Sequence, residues 1–343
     1  MPPAAPDGAT PVAGLRGLDA VNAYNLCRAR GYNVPLDSLR ALAGRHRTKL
    51  LPQQATRPPP RDIMTQRVLT QIDDDGNATL ILNRPEVHNA FDPEMAAEMT
   101  TALKRLEADP GVRAVVIMAV GRNFSAGADI AHMKASAKFS RAQNVAAART
   151  MAAMFHTLYT LAKPTIAAVR GAVRGGGAGL LAAADIAIGT RDVTIRLTEV
   201  RLGIVPAMIS PYIVAAIGER MAHRYFLTGE EIDSGEAFRI GLLHDICEEE
   251  AFNEKIGHLL HELYQGGPAA IVAAKRALRA VAHSPIDAAV VKATAERIAD
   301  IRATPEAQEG LAAFLGKRPP AWTARPAPAA KAARAKPAKK RGR

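Results

Sequence analysis

The chain has 343 residues, of which 48% are hydrophobic and 23% charged, and it carries two cysteines and a formal net charge of +12. This length allows one large domain or two ordinary ones with a substantial apolar core. Two cysteines exclude a disulfide scaffold and favour a reducing, cytoplasmic compartment. No apolar run approaches the length of a transmembrane helix, and residues 1–10 lack the pattern of a secretory signal, so no membrane association is expected.

The positive charge lies at the two ends of the chain. Residues 1–63 contain nine basic and four acidic residues, residues 317–343 contain ten basic and no acidic residues, and residues 64–316 have a net charge of −3. We interpret 1–63 as a disordered extension or a mis-assigned start, with an organellar transit peptide as the alternative. The Pro, Ala, Lys and Arg content of 317–343 predicts a disordered basic tail.

Strands and helices alternate along the middle of the chain. The alternating runs Val68–Ile72 and 78–82 flank an Asp- and Gly-containing segment, which predicts a β-hairpin. The Asp-Pro pair at 92–93 then opens a helix that ends at the Asp-Pro-Gly of 109–111. The continuous apolar run 114–120 has the length of a strand that is covered on both faces.

The same alternation continues to residue 250. A helix is predicted over 141–161, a strand over Thr165–Val169, an alanine-rich helix after a glycine cluster, and a strand over 185–189. This order indicates a layered α/β fold with βαβ crossovers, which we assign to residues 64–250. Residues 251–316 show helical patterns only, and we assign them to a C-terminal helical region.

Two glycine-containing turns, at 123–130 and 171–180, each follow a predicted strand and precede a predicted helix. Neither has the spacing of a P-loop or of a dinucleotide-binding motif, and no metal site is predicted. Small residues at such turns expose backbone N–H groups, and a helix N-terminus aims such groups at an anion. Two N–H groups that converge on one oxygen form an oxyanion hole. The alternative is that the glycines allow a helix and a strand to pack closely.

Six motifs occur together in a recognisable order: Asn-Arg-Pro-Glu-Val-His-Asn-Ala-Phe at 83–91, Phe-Ser-Ala-Gly-Ala-Asp-Ile at 124–130, Lys-Pro-Thr-Ile-Ala-Ala-Val-Arg-Gly at 163–171, the triple glycine at 175–177, Asp-Ile-Ala at 185–187, and Leu-Thr-Glu-Val-Arg-Leu-Gly-Ile-Val-Pro at 197–206. In this order the sequence resembles the enoyl-CoA hydratase/isomerase (crotonase) superfamily over about residues 66–315. The resemblance implies a spiral α/β core, a C-terminal helical region that makes trimer contacts, and a homotrimer or homohexamer. It also implies an acyl-CoA substrate, so that coenzyme A is part of the substrate and no separate cofactor is expected.

The resemblance also implies the catalytic groups. The oxyanion hole falls on the N–H groups of Ala126 and Gly176, and Glu199 is the proton-transferring carboxylate. Family hydratases use a second glutamate two residues after the glycine triplet, and that position here is Gly179. We therefore expect an enoyl-CoA hydratase in which Glu199 acts as base and then as acid, either alone through water or with a second group.

Further substrate contacts follow from the same resemblance. The backbone around Ala90 and along 126–129, which includes Ala128 and Asp129, is expected to hold the CoA part, and Gly175 is expected to contact the substrate. Lys275 resembles a C-terminal-helix lysine that reaches the CoA phosphates, although an exposed helix lysine is the alternative.

The segment 209–212, Ile-Ser-Pro-Tyr, together with Gly179 resembles the bacterial methylglutaconyl-CoA hydratase branch. A substrate of that kind carries a distal carboxylate, for which Arg174 is the first candidate partner and Arg201 the second. The alternative for both is a solvated or helix-capping arginine. His132 could supplement proton transfer, or it could be a packing residue.

Two other functions stay open. An enoyl-CoA isomerase needs only one base, which Glu199 could supply, and product mass distinguishes it from a hydratase. A non-catalytic CoA-binding protein could act through weak contact of its basic tail with a polyanion, which would show as steeply salt-dependent binding of nucleic acid.

Overall fold

A mixed sheet of six strands forms the centre of the fold, in a computed structural model that describes residues 66–282 and 284–323. The strands are β1 (Val68–Ile72), β2 (Asn77–Leu82), β3 (Ala114–Ala119), β4 (Thr165–Val169), β5 (Ala172–Arg174), β6 (Ile186–Thr190), β7 (Thr194–Arg196), β8 (Glu231–Asp233) and β9 (Asp245–Cys247). The helices are α1 (Pro93–Ala108), α2 (Ile130–Ser136), α3 (Arg141–Thr160), α4 (Gly176–Ala183), α5 (Ser210–Thr228), α6 (Ser234–Arg239), α7 (Phe252–Gln265), α8 (Pro268–Val281), α9 (Ala288–Arg302) and α10 (Pro305–Leu315). The predictions for 1–63 and 324–343 lie outside the described residues.

The large sheet has the order β1-β2-β3-β4-β6-β9. β1 pairs antiparallel with β2, in a register that sets Val68 opposite Leu82, and the other neighbours are parallel. The predicted hairpin is therefore confirmed. Its turn is fixed by Asp73, whose carboxylate accepts hydrogen bonds from the N–H groups of Asp75 and Asn77 at 3.0 and 2.8 Å.

Both faces of the sheet are covered, as the apolar run of β3 predicts. One face packs against α1 and α3 in a cluster that includes Leu80, Met99, Leu103, Val115 and Phe155. The other face packs against α7 in a cluster that includes Val116, Ile166, Ile188, Phe252 and Ile256. Full burial of such side chains contributes roughly 1.5–3 kcal/mol each, so the strands form a firm base for the loops at their carboxyl ends.

Local signals set the ends of the main helices. Asp92 caps α1 by accepting a hydrogen bond from the N–H of Met95 at 2.8 Å, and Pro93 occupies the first turn. Ser140 and Gln143 form a capping box at the start of α3. An N-cap of this kind is worth about 1 kcal/mol. The predicted starts of both helices agree with the structure.

A second sheet, of order β5-β7-β8, was not predicted from the sequence. β5 lies inside the turn expected over 171–180 and pairs in parallel with β7, while β7 pairs antiparallel with β8. This pairing places the segment that follows β7 beside the start of α4, although the two are separate in the chain. The small sheet therefore brings the motif at 197–206 next to the glycine turn at 171–180.

The C-terminal part is helical, as expected for 251–316, but the ordered chain continues further. Trp322 packs on Gly310 of α10, where an added Cβ would lie 2.8 Å from the indole ring. The indole Nε1 donates a hydrogen bond to the Gln265 carbonyl at 3.0 Å, and the Trp322 carbonyl accepts one from Arg113 at 3.0 Å. The prediction of a tail beginning at residue 317 is therefore wrong for residues 317–323.

Four expectations concern the chain as a whole. Cys247 is a buried free thiol, whereas Cys27 lies outside the described residues. Within 66–282 and 284–323, no helix is both long enough and apolar enough to cross a bilayer. Across the same ranges, no group of three or more His, Cys, Asp or Glu side chains is placed to hold a metal ion. A cytoplasmic location stays a prediction.

Candidate active site

A cavity of about 620 Å³ opens beside the loops that follow β3 and β5. Its walls come from α2, α3, the start of α4, a 3-10 helix at Glu199–Leu202 and the segment 204–209. Among the described lining residues, the polar side chains are those of Lys134, Thr198 and Glu199, and the rest of the wall is apolar or backbone. Such a site suits an apolar acyl group with a few polar contacts.

Glu199 begins the 3-10 helix that follows β7 and lines the cavity. Its Oε2 atom is buried and accepts no hydrogen bond from any described residue. Burial raises the pKa of the Glu199 carboxyl, and a hydrogen bond from its own backbone offsets this only in part. A carboxylate with one buried, unpaired oxygen and a raised pKa is the kind of group that takes up a proton from a bound molecule.

Gly175 lies directly against this carboxylate. A Cβ at position 175 would be 2.9 Å from Glu199 Oε1, and the residue has φ 46° and ψ −113°, which non-glycine residues rarely adopt. Its N–H donates to the Arg196 carbonyl at 3.0 Å. Gly175 therefore turns the chain so that the next residue, Gly176, begins α4 at the cavity.

The N–H of Gly176 is available for a ligand. It belongs to the first turn of α4, where backbone N–H groups have no partner within the helix, and no described residue accepts from it. Gly176 lines the cavity, so this donor and the positive end of the helix dipole face the same space as Glu199.

The second predicted donor needs correction. The N–H of Ala126 donates to the His88 carbonyl at 2.8 Å and is therefore already occupied. The N–H of Ala128, two residues later, also lies at the cavity wall and has no acceptor among the described residues. The structure therefore favours Ala128 over Ala126 as the second free backbone donor at the cavity that Gly176 lines.

Backbone hydrogen bonds hold the two turns side by side. The Ser125 N–H donates to the Ala172 carbonyl at 3.2 Å, and the Arg174 N–H donates to the Ser125 carbonyl at 2.8 Å. The Ser125 hydroxyl donates to the Asn89 carbonyl at 2.9 Å and accepts from the Gly127 N–H at 3.2 Å. These bonds fix the N–H groups before any ligand binds, as an oxyanion hole requires.

Asp129 and Ala90 support the loop and do not line the cavity. Asp129 caps α2 and pairs with Arg84 at 2.9 Å. Burial opposes ionisation of Asp129, but the backbone N–H groups of His132 and Ala131 together with Arg84 lower its pKa overall. The Ala90 carbonyl accepts from Arg84 at 2.8 Å. Both residues were predicted to contact substrate, and the structure gives them a scaffold role.

The two arginines that were predicted to bind a carboxylate of the substrate, Arg174 and Arg201, lie outside the cavity lining. The Arg174 guanidinium donates to the Thr194 carbonyl at 2.6 Å and pairs with Glu231 at 3.0 Å, on the small sheet. Arg201 is exposed, and neither arginine lines the cavity. The assignment of Arg174 to a substrate carboxylate is therefore wrong. The His132 ring packs edge-on against Phe139 and also lies outside the cavity lining.

Lys275 does not reach toward a ligand either. It is 9% exposed, donates to the Lys163 carbonyl at 3.0 Å and forms an ion pair with Asp185. Burial lowers the pKa of Lys275, although Asp185 opposes this effect. The predicted contact with CoA phosphates is wrong in this structure, because the ammonium group joins α8 to the start of β6.

Apolar packing explains the glycine at position 179. Gly179 is buried in α4, and an added Cβ would overlap Ile209 Cγ2 and lie 3.0 Å from Phe155 Cε1. The space in which relatives are expected to carry a second glutamate is thus filled by Ile209. Among the described lining residues, Glu199 is the only carboxylate at this cavity.

Sequence reasoning missed Lys134 and Thr198. Ile130, Met133 and Lys134 all line the cavity and recur at the i, i+3, i+4 spacing of one helix face, which was a readable signal once α2 was assigned. No pattern in the sequence marked Thr198 as a site residue. It precedes Glu199 directly, and its place at the cavity depends on the 3-10 turn that begins at Glu199.

Comparisons with known proteins agree with this arrangement. The profile of the enoyl-CoA hydratase/isomerase family matches residues 74–325. A Thermus thermophilus protein that carries an enoyl-CoA hydratase name is 36% identical over 252 residues, which are 74% of this chain and 99% of that protein. Crotonyl-CoA hydratase from Syntrophomonas wolfei is 31% identical over 249 residues, which are 70% of this chain and 92% of that protein.

Solved structures give the same result for the fold. The crystal structure of an enoyl-CoA hydratase from Shewanella pealeana is 36% identical, covers 76% of this chain and 98% of its own, and has a TM-score of 0.73. The expected α/β fold class is thereby confirmed. The chain belongs to the enoyl-CoA hydratase/isomerase (crotonase) family.

Proposed function

We propose that this chain is an enoyl-CoA hydratase that adds water across the double bond of an enoyl-CoA thioester. The observation that carries the proposal is the unpaired, buried Glu199 Oε2 at the same cavity as the unoccupied N–H groups of Ala128 and Gly176. The hydratase names of the relatives support it.

The geometry supports a two-stage addition on one face of the double bond. Glu199 accepts a proton from water while the water oxygen bonds to Cβ, and the double-bond electrons move onto the thioester oxygen as an enolate. The N–H groups of Ala128 and Gly176 stabilise that charge, each donor typically by about 3 kcal/mol. Protonated Glu199 then returns a proton to Cα, which regenerates the carboxylate.

The reaction needs no separate cofactor. One water molecule is added and no electrons pass to an acceptor, so coenzyme A serves only as part of the substrate in this proposal. The CoA arm would enter along the loop of Ala126 and Gly127, which forms one wall of the cavity.

We further propose a branched enoyl-CoA with a distal carboxylate, such as methylglutaconyl-CoA, as the substrate. Lys134 supports this choice, because it is the one cationic side chain among the described residues that line the cavity. It takes the role that Arg174 cannot fill. A Lys134→Met variant should then lose activity on methylglutaconyl-CoA by about tenfold or more while retaining activity on crotonyl-CoA. Equal losses on both would contradict the carboxylate role.

An isomerase is the second candidate, because Glu199 is the only carboxylate on the described cavity wall and double-bond migration needs one base. The deciding experiment incubates the purified chain with a panel of enoyl-CoA thioesters and reads the products by mass. A hydratase adds the mass of one water, an isomerase leaves the mass unchanged, and a CoA-binding protein without catalysis leaves the substrate intact.

We also propose a homotrimer or homohexamer that associates through the C-terminal helices. Apolar side chains remain exposed on α10, where Phe314 is 80% and Leu315 79% accessible in the single chain. Burial of such residues between copies would remove them from water. Light scattering on the eluting protein should give a mass of three or six chains, whereas a monomer mass would contradict this part of the proposal.

A further inference from the structure

If Glu199 acts alone in hydration, one hydrogen of the attacking water has no hydrogen-bond acceptor. A water molecule that attacks Cβ uses one lone pair for the new bond and presents one hydrogen to Glu199, while its second hydrogen needs another acceptor. Gly179 offers no group for this, and Ile209 fills the space beside it. A second polar atom at the cavity is therefore required to orient the water.

Thr198 supplies the one hydroxyl group among the described residues that line the cavity. It precedes Glu199 directly and occupies the N-cap position of the 3-10 helix, yet its side chain makes no capping hydrogen bond. Its carbonyl accepts from the Arg201 N–H at 3.0 Å, which fixes its backbone. No described residue binds its hydroxyl, so the Oγ1 atom keeps both its donor and its acceptor capacity for a ligand.

We propose that the Thr198 hydroxyl binds and orients the attacking water in hydration, a role that rests on the proposed hydratase function. Thr198 Oγ1 accepts a hydrogen bond from one water hydrogen, and Glu199 removes the other hydrogen as the C–O bond forms at Cβ. The proton on Glu199 then passes to Cα. One water is consumed, the carboxylate is restored, and the Thr198 hydroxyl keeps its own proton throughout.

This role separates two reactions that the same site can perform. Hydration requires the oriented water. Exchange of a Cα proton of a saturated acyl-CoA with solvent requires only Glu199 and the two backbone N–H groups, because no water attacks carbon. A group that only orients the nucleophilic water affects the first reaction and spares the second.

The experiment uses the full chain with Thr198→Val, which removes the hydroxyl and retains the shape, and Thr198→Ser, which retains the hydroxyl. Crotonyl-CoA hydration and deuterium uptake by butyryl-CoA in heavy water are both followed by mass. Thr198→Val should lower kcat for hydration by about tenfold or more with little change in KM, leave deuterium uptake within twofold of wild type, and be rescued by Thr198→Ser. Thr101→Val, at an exposed helix position, controls for the loss of a hydroxyl elsewhere.

Three results would overturn the role of Thr198. These are wild-type hydration by Thr198→Val, a parallel loss of hydration and exchange, and failure of Thr198→Ser to restore hydration. Failure of the proposed function has a different signature: the wild-type chain itself would show exchange without adding water to any enoyl-CoA.

Discussion

Glu199 is placed where its surroundings oppose its charge. Its Oε2 atom is buried without a hydrogen-bond donor, and burial raises the pKa of the carboxyl. An ionised carboxylate in that position costs stability, because Oε2 has lost hydration without gaining a donor and the hydrogen bond from the backbone of Glu199 offsets this only in part. The proposed role of Glu199 as a base accounts for the arrangement, since a carboxylate that binds a proton more strongly is a better base.

The first prediction concerns activity. Glu199→Gln should lower kcat for hydration by roughly hundredfold or more, because glutamine keeps the shape but cannot carry the transferred proton. Steady-state kinetics on crotonyl-CoA measure the effect. Glu219→Gln, at a side chain that is 83% exposed, is the matched control and should behave as wild type. Near-wild-type hydration by Glu199→Gln would remove Glu199 from the mechanism.

The second prediction concerns stability as a function of pH. The folded-state pKa of Glu199 is raised above its unfolded value, so its favourable contribution is present below the unfolded pKa and is lost as pH rises through the folded pKa. Glu199→Gln should therefore have a higher Tm than wild type at neutral pH, and the difference should shrink as pH falls through that window. Thermal unfolding at several pH values measures it, and a constant difference would contradict the assignment.

At the scale of elements, the packing around α4 requires a residue without a side chain at position 179. Gly179 allows Ile209 and Phe155 to approach the helix backbone, and the small residues of α4 are buried on nearly every side. The first turn of α4 presents the Gly176 N–H, so a displaced helix would also displace that donor.

The third prediction follows from this contact. Gly179→Ala should destabilise the fold by about 1–3 kcal/mol, because its Cβ overlaps Ile209. Ile209→Ala should also destabilise it, by leaving a cavity, but the double variant should cost less than the sum of the two. Denaturant unfolding measures all three. Gly257→Ala is the control, since an added Cβ there would have no described atom within 4 Å apart from the neighbouring backbone of its own helix, and helix propensity favours alanine. Additive losses would show that positions 179 and 209 do not compete for space.

Strongly marked elements were predictable from the sequence, and contacts between distant segments were not. The hairpin, α1, β3 and β4 have clear punctuation or apolar runs, and the structure has them at nearly the expected bounds. The three-residue strands β5, β7 and β8 are too short to show a period. They could be found only through their pairing.

The errors at the site have the same origin. Ala126 was assigned as a donor by its place in a motif, but His88, 38 positions earlier, takes up its N–H. Lys275 was assigned to phosphate, but Asp185, 90 positions earlier, binds its ammonium group. Neither partner can be inferred from local sequence. Glu199, Gly175 and Gly176 lie at the cavity, because the motifs that contain them set the local backbone directly.

At the scale of the whole molecule, the charge divides into separate parts. Residues 66–323 have a net charge of −1, whereas residues 324–343 contain eight basic and no acidic residues. Under the proposed function, recognition of an acyl-CoA in the cavity therefore depends on local groups, and any attraction for a large polyanion depends on the two ends of the chain.

The fourth prediction tests this division. The full chain should bind a single-stranded RNA with an affinity that falls steeply as salt rises, and a chain ending at Thr323 should lose most of that binding. Fluorescence anisotropy at several salt concentrations measures both. Hydration kinetics of the two proteins should agree, because the deleted residues lie beyond the elements that form the cavity. Unchanged RNA binding after the deletion would place the site elsewhere.

The edges of the large sheet affect how copies of the chain can meet. β9 is three residues long and carries the Asp245–Lys255 ion pair, and β1 is five residues long with Thr70 and Gln71 exposed. Edges as short as these offer a poor template for a strand from another molecule. Strand addition across these borders is therefore disfavoured, which is consistent with the proposal that copies of the chain associate through helical surfaces instead of through a continuous sheet.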